Sequence, residues 1–180
     1  MIFQLELMFL DFGAEGRAEY RAFAPKEIKQ VLMDWDKAIG DQGWNNIFLD
    51  NHDFARVLSR FGNDKDLRVE SAKCFLTLLL TFKGTPCIYQ GTEIGMTNDV
   101  IDDIRELRDV EAFNIYREYV ETGRMTEGEF ISLMNKIGRD NVRTPMQWSD
   151  ELYAGFSTHH PWINVNDNFE TINFVKDKTS

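Results

Sequence analysis

The chain has 180 residues, 43% hydrophobic and 28% charged, enough for one domain with a sizeable core. A net charge of −10 repels phosphate backbones and anionic headgroups, so neither nucleic acid nor a membrane surface is expected as a partner. The longest apolar run, residues 74–82, is broken by Thr77 and Thr81 and is far too short to cross a bilayer.

Residues 1–10 are apolar at 1, 2, 3, 5 and 7 to 10, which predicts a buried strand running into a loop. No basic, apolar and small-residue leader pattern opens the chain, so the expected location is cytoplasmic. Residues 11–24 read as a loop around Gly13 and Gly16. Residues 25–39 predict a helix. Pro25 suits its first position, and Ile28, Val31, Leu32, Trp35 and Ile39 share one face. Gly40 is placed to cap its end. A strand follows at 46–51, then a loop over 54–65 with Arg56, Arg60 and Gly62. A second helix spans 66–83, capped by Asp64 or Asp66 and ended by Lys83 and Gly84. Its apolar face, including Val69, Phe75, Leu76, Leu79 and Leu80, is wide enough to predict burial against more than one neighbour. Residues 86–90 form a short buried strand closed by Gly91. Cys74 and Cys87 lie in apolar runs without metal-like spacing, so both read as buried thiols.

The first 90 residues thus alternate strand and helix, which predicts parallel strands with right-handed crossovers. After Gly91 the pattern changes. Residues 95–109 are an acid-rich loop. Residues 110–122 and 126–137 read as surface helices, the second with a capping box of Thr126 and Glu129. Residues 138–180 read as polar loop with Trp148, Phe156 and Trp162. No domain boundary or low-complexity segment is evident. Three parallel strands leave two apolar edges, which soluble proteins avoid. The chain is either a small open sheet or a piece of something larger, and its abrupt start inside a strand favours the second.

Three stretches carry candidate chemistry. Ile47 to Arg56 turns from apolar to polar within two residues. It delivers Asp50, Asn51, His52 and Asp53 to the carboxyl end of a strand, where α/β proteins build sites. On spacing alone Asp53 serves equally well as a site carboxylate or as a cap of the following turn. Residues 84–91 end another strand at the same rim. There Gln90, Thr92 and Glu93 can face a polar ligand, or Gly91 and Gly95 can simply make a turn. Residues 139–148 crowd Arg139, Arg143 and Trp148 into an irregular segment, either an ion-pair network or a wall that holds a sugar. His159 and His160 lack a third ligand, and no metal is expected there. No phosphate loop or nucleophile elbow is present.

These stretches, FLDNHDFARVLSRFG (48–62), GTPCIYQGTEIGMTN (84–98) and IGRDNVRTPMQW (137–148), followed by AGFS and PWINVN, resemble the α-amylase superfamily (family 13) of glycoside hydrolases. The likeness is strongest to its oligo-1,6-glucosidase, dextran glucosidase and α-glucosidase branch, and runs from Met1 to at least Asn173 in the family's order. It implies an α/β fold, a partial (β/α)8 TIM barrel. Residues 1–180 would be the C-terminal part of the catalytic domain, supplying about strands 6 to 8 and the long loop after strand 8. It implies retaining hydrolysis of α-1,6 or α-1,4 glucosidic bonds in isomalto- or malto-oligosaccharides, without a cofactor or a metal in this chain. Asp53 matches the family's transition-state stabiliser, which is neither nucleophile nor acid/base. His52 matches its sugar-binding histidine. Arg139 resembles the arginine that holds the non-reducing glucose, with Arg143 as its rival, and Arg56 aligns with a further candidate substrate-binding arginine. Phe54-Ala55 departs from the frequent Gln-Pro near the site entrance, and Thr92 stands where Glu is frequent. The family's nucleophile and acid/base would precede Met1, and Glu6 and Glu93 match neither. The chain alone is therefore expected to be inactive, its partner being the missing N-terminal part of the same barrel. The rival readings are a transglycosylating sucrose isomerase and a non-catalytic carbohydrate-binding or transporter-associated relative.

Overall fold

A computed structural model of the chain describes residues 2–178. Met1, where the first strand is expected to begin, lies outside the described residues. In chain order, strand β1 (Ile2–Phe3) precedes a hairpin of β2 (Phe12–Gly13) and β3 (Gly16–Tyr20). Helix α1 (Pro25–Ile39), strand β4 (Asn45–Phe48), helices α2 (Val57–Phe61) and α3 (Arg68–Thr81), and strand β5 (Thr85–Cys87) follow. Beyond them lie α4 (Val110–Ile115), α5 (Glu127–Ile137), α6 (Asp140–Arg143) and α7 (Phe174–Asp177).

β1, β4 and β5 form one parallel sheet in that spatial order, with Ile2 opposite Asn45 and Phe48 opposite Cys87. The expected alternation is present, but the strands are shorter than expected. β4 ends at Phe48, and in the turn beyond it side chains accept the backbone amides. The Asp50 carboxylate accepts the Val57 amide at 2.6 Å, and the Asn51 side chain accepts the Asp53 amide at 2.8 Å. Asp50 thereby anchors the start of α2, a short helix in a stretch expected to be loop. The first strand likewise gives way to a 3-10 turn at Glu6–Phe9, with Leu7 and Met8 buried.

α1 has the expected ends, Pro25 in its first turn and Gly40 at its close. The 11–24 loop is a correction. It contains the hairpin, turned at Gly16 where φ is +60. A buried pair fastens this hairpin to α2. Arg60 grips Asp11 with Nε to Oδ2 at 2.9 Å and Nη2 to Oδ1 at 2.5 Å. The start of α3 is held by Asn63, whose side chain accepts the amides of Lys65 and Leu67, rather than by Asp64 or Asp66. Only Leu79 of α3 is fully buried, and Leu80 is 57% exposed, so the expected burial on several sides is not met among the described residues. Both cysteines depart from expectation as well. Cys74 is exposed, on the α3 surface that lines an open groove against α1, and Cys87 is half-buried on β5.

Among the described residues, three apolar clusters hold these pieces together. One, under the sheet, joins Leu7, Met8 and Leu32 to Ile47, Phe54, Val57 and Leu79. A second gathers Ala18 of the hairpin with Leu107, Ala112, Ile115 and four α5 side chains, Phe130, Leu133, Met134 and Ile137. α5 is therefore a core helix on one face, not a surface helix. Its Thr126–Glu129 capping box is present as expected. The third cluster joins Ile94 and Met96 after β5 to Met146 and Ile172. No helix among the described residues is long and apolar enough to cross a membrane.

Candidate active site

The carboxyl ends of β4 and β5 open onto a cleft of about 370 Å³, lined among others by Phe48, Asp50, His52, Asp53, Ile88 and Tyr89. Two local devices shape its rim. Asn51 closes an Asx turn on the Asp53 amide, which projects His52 and Asp53 outward. Asp50 stays behind them, buried, and accepts the Thr92 hydroxyl at 2.7 Å, so one carboxylate ties the two strand ends together. Asn51 and Asp50 accept the turn amides, so Asp53 is not the cap of the following turn and its carboxylate is left to other partners.

Two of those partners are guanidiniums and the third is an imidazole. Asp53 Oδ1 lies 3.5 Å from Arg139 Nη1 and 3.3 Å from Arg143 Nη2. Its Oδ2 lies 3.2 Å from His52 Nε2. Arg143 Nε also donates to the His52 carbonyl at 2.9 Å, which binds the 139–148 segment to the rim. The His52 and Asp53 side chains remain 72% and 43% exposed, so both can be reached from solvent.

Arg139 and Arg143 differ in how firmly they are held. Arg139 forks onto Asp109, with Nε to Oδ2 at 2.8 Å and Nη2 to Oδ1 at 2.5 Å. It also lies 3.2 Å from Glu111 Oε2. Arg143 reaches Asp109 only at 3.6 Å. Asp109 is 3% exposed and caps α4 by accepting the Glu111 amide. Burial pushes its carboxyl up. The bonds from Arg139 and the Glu111 amide, with the charge of Arg143, outweigh burial and hold it below the usual carboxylate range. The same bond from Asp109 raises Arg139 above its ordinary value.

Arg17, on β3, completes the group, and local sequence gave no sign of it. Its guanidinium lies against the stacked rings of Phe12 and Phe54, 4.8 and 4.9 Å from their centroids. It donates to the Asp53 carbonyl at 3.0 Å and pairs with Glu111 at 2.8 Å. Asp109 and Glu111 were equally hidden, although an Asp two residues before a Glu at a helix start is a capping pattern that could have marked them.

Arg56 is not brought to this group. Its side chain is 0% exposed and donates Nη1 to the Gln90 carbonyl at 2.6 Å beneath the rim. Burial holds its pKa below the ordinary value despite the charge of Asp50. A buried guanidinium cannot touch a ligand in the cleft, so the expected sugar contact there is corrected to a support between the strand ends. Phe54 and Ala55 are also buried, not at an entrance. Gly91 and Gly95 take the left-handed turn conformations, with φ of +87 and +63. Trp148 packs edge-on to Phe174 at 5.8 Å. Among the described residues, no group of three or more His, Cys, Asp or Glu side chains is placed to hold a metal ion.

A carboxylate held between two guanidiniums and an imidazole at a cleft mouth suits a polyhydroxylated ligand. It can accept hydroxyl protons and oppose positive charge developing beside it.

The family model described as alpha amylase, catalytic domain, matches residues 1–180. The chain is 49% identical over 174 residues to an oligo-1,6-glucosidase of Bacillus cereus, covering 96% of this chain and 31% of that protein. It is 42% identical over 177 residues to a glucan 1,6-alpha-glucosidase of Streptococcus pneumoniae, covering 96% and 33%. The crystal structure of isomaltulose synthase from Klebsiella sp. LX3 matches with a TM-score of 0.94 at 38% identity, covering 99% of this chain and 32% of that one. The chain spans about a third of the length of these relatives.

Proposed function

The chain belongs to the alpha-amylase catalytic-domain family, and from that premise we propose that residues 1–180 form the C-terminal part of a (β/α)8 barrel. On this reading β1, β4 and β5 are barrel strands 6, 7 and 8, and the segment after β5 is the long loop that follows strand 8. The whole protein is a retaining glycoside hydrolase that cleaves α-1,6 or α-1,4 glucosidic bonds of isomalto- or malto-oligosaccharides.

The observation that carries the reading is Asp53, exposed at the end of β4 and ringed by His52, Arg139 and Arg143. Its carboxylate stabilises the oxocarbenium-like charge and accepts sugar hydroxyl protons. His52 donates to a hydroxyl. Arg143 holds the non-reducing glucose, because its Nε and Nη2 already lie on the rim groups His52 and Asp53, whereas Arg139 turns its Nε and Nη2 to buried Asp109. Retaining hydrolysis needs two further carboxyl groups about 5–5.5 Å apart across the bond. These belong to the N-terminal part of the same barrel, so the chain alone gives no turnover.

The test is a graft in which this chain replaces the matching 31% of the Bacillus cereus oligo-1,6-glucosidase. The graft is expected to hydrolyse isomaltose and p-nitrophenyl α-glucoside, and Asp53→Asn within it to abolish turnover. Full activity with Asp53→Asn would refute the assignment. A second reading, sucrose isomerisation, is favoured by the likeness to isomaltulose synthases. Rearranged disaccharide from sucrose, rather than glucose and fructose, would select it.

A further inference from the structure

The mechanism above uses the Asp53 carboxylate but leaves open what fixes its distance from the arginines across from it. Arg17 touches both sides of that gap. Its Nη2 donates to the Asp53 carbonyl at 3.0 Å, and its Nη1 donates to the Ile137 carbonyl at 3.2 Å, at the end of α5. Its Nε lies 2.8 Å from Glu111 Oε2, the same oxygen that lies 3.2 Å from Arg139 Nε. Arg139 Nη1 then returns to Asp53 Oδ1 at 3.5 Å. The four residues form a closed ring of contacts from Arg17 through Asp53, Arg139 and Glu111 back to Arg17.

Three elements distant in sequence meet on this one side chain: the hairpin, the turn after β4, and the helical segment after β5. The guanidinium lies 4.8 and 4.9 Å from the ring centroids of the stacked pair Phe12 and Phe54, which closes off movement on that side. A planar guanidinium can donate to the Asp53 and Ile137 carbonyls at fixed angles while its charge faces the Glu111 carboxylate, and an ammonium on a flexible stem cannot. We propose that Arg17 is a positioning residue of the candidate site, setting the separation of the Asp53 carboxylate from Arg139 by holding the Asp53 backbone on one side and Glu111 on the other. This rests on the glucosidase reading for its consequence in catalysis, but not for its geometry.

The test has two arms, run on Arg17→Gln and Arg17→Lys. In the first, backbone order parameters are measured by NMR on the 180-residue chain. The Asp53 amide is expected to fall from the rigid value of about 0.85 to below about 0.6, while Ile47 stays rigid. In the second, the same changes are made in the graft. A misplacement of about 1 Å costs on the order of 100-fold in rate, so kcat for p-nitrophenyl α-glucoside is expected to fall by about that factor. KM is expected to change less than threefold, and Lys not to rescue. Leu79→Ala, a buried core change remote from the site, is the stability control and is expected to lower Tm without lowering kcat. An Asp53 amide that stays rigid in both variants overturns the proposal whatever the graft does. A mobile Asp53 with unchanged kcat overturns it as well. If the unmodified graft hydrolyses no α-glucoside, the functional reading fails, and the NMR arm alone decides the role of Arg17.

Discussion

Asp99 allows a test of the structure that needs no substrate. It follows Asn98 on the segment after β5. Burial, with the nearby charges of Asp167 and Glu106, pushes its carboxyl up from an ordinary 3.8 to about 7, against a bond from the Val100 amide. A proton bound more tightly in the folded than in the unfolded state favours folding while the group is protonated. That contribution is complete below about pH 4 and is lost as pH rises through about 7. A rise from 3.8 to about 7 is about three tenfold steps at about 1.36 kcal/mol each, a ceiling near 4 kcal/mol. Asp99 keeps some contact with solvent, so about 2 kcal/mol is the working figure. Asp99→Asn mimics the protonated acid at every pH. Relative to the native chain it is expected to be about 2 kcal/mol more stable at pH 8, which is roughly 4–8 °C in Tm at this chain length. At pH 3, below the unfolded value of 3.8, the two are expected to melt within about 2 °C of each other. Scanning calorimetry of both chains at both pH values makes the comparison. An equal difference at the two pH values, or a native chain that melts higher at pH 8, would show that Asp99 is not buried as described.

Three further outcomes follow from the site. Arg139→Ala strips the fork from buried Asp109 and is expected to cost about 1–3 kcal/mol in urea denaturation, whereas Arg143→Ala, losing a half-exposed pair, costs under about 1 kcal/mol. In the graft the order reverses, with Arg143→Ala raising KM for isomaltose more than tenfold. The stability that Asp109 contributes, present above about pH 4, is expected to vanish as pH falls through its depressed folded value, so Asp109→Asn narrows the gap between melting at pH 7 and pH 3. At Gly91, φ is +87 and an added Cβ would meet Met96 Sδ at 2.3 Å and Arg56 Nη1 at 3.0 Å. Gly91→Ala is therefore expected to cost more than about 2 kcal/mol and to broaden the Gln90 and Met96 signals that Arg56 contacts.

What the sequence disclosed is what short-range chemistry decides. Pro25 and Gly40 marked both ends of α1, and Thr126 with Glu129 marked the start of α5. The β/α alternation gave the parallel sheet. Long-range facts were hidden. Arg56 lies three residues from Asp53 and reads as its neighbour, yet the chain turns between them and carries the guanidinium under the rim. Arg17 lies far away in sequence and touches the Asp53 carbonyl, because the hairpin folds back across α2. Gly13 and Gly16 suggested a loop where they make a hairpin turn. The apolar run of α3 disclosed the wish to be buried but not what covers it, so Cys74 was expected inside and lies exposed. Arg139 and Arg143 were indistinguishable by spacing. Asp109, which makes one rigid and leaves the other freer, lies 30 residues upstream of Arg139.

The charge arrangement also bears on which catalytic role suits Asp53. Three arginines, 17, 139 and 143, alternate with three acids, 53, 109 and 111, through contacts of 2.5 to 3.6 Å. The two sets balance. A nucleophile gives up its charge when it bonds to the anomeric carbon. Were Asp53 to do so, the three guanidiniums would be left with Asp109 and Glu111 alone to compensate them. A stabiliser keeps its charge from ground state to product, so the guanidiniums stay paired while positive charge grows on the sugar beside them. Preorganised charge of this kind costs no rearrangement at the moment of reaction. The ring around Asp53 is thus suited to a carboxylate that stays ionised and unbonded, and on the proposed reading the covalent step falls to the opposite wall of the barrel.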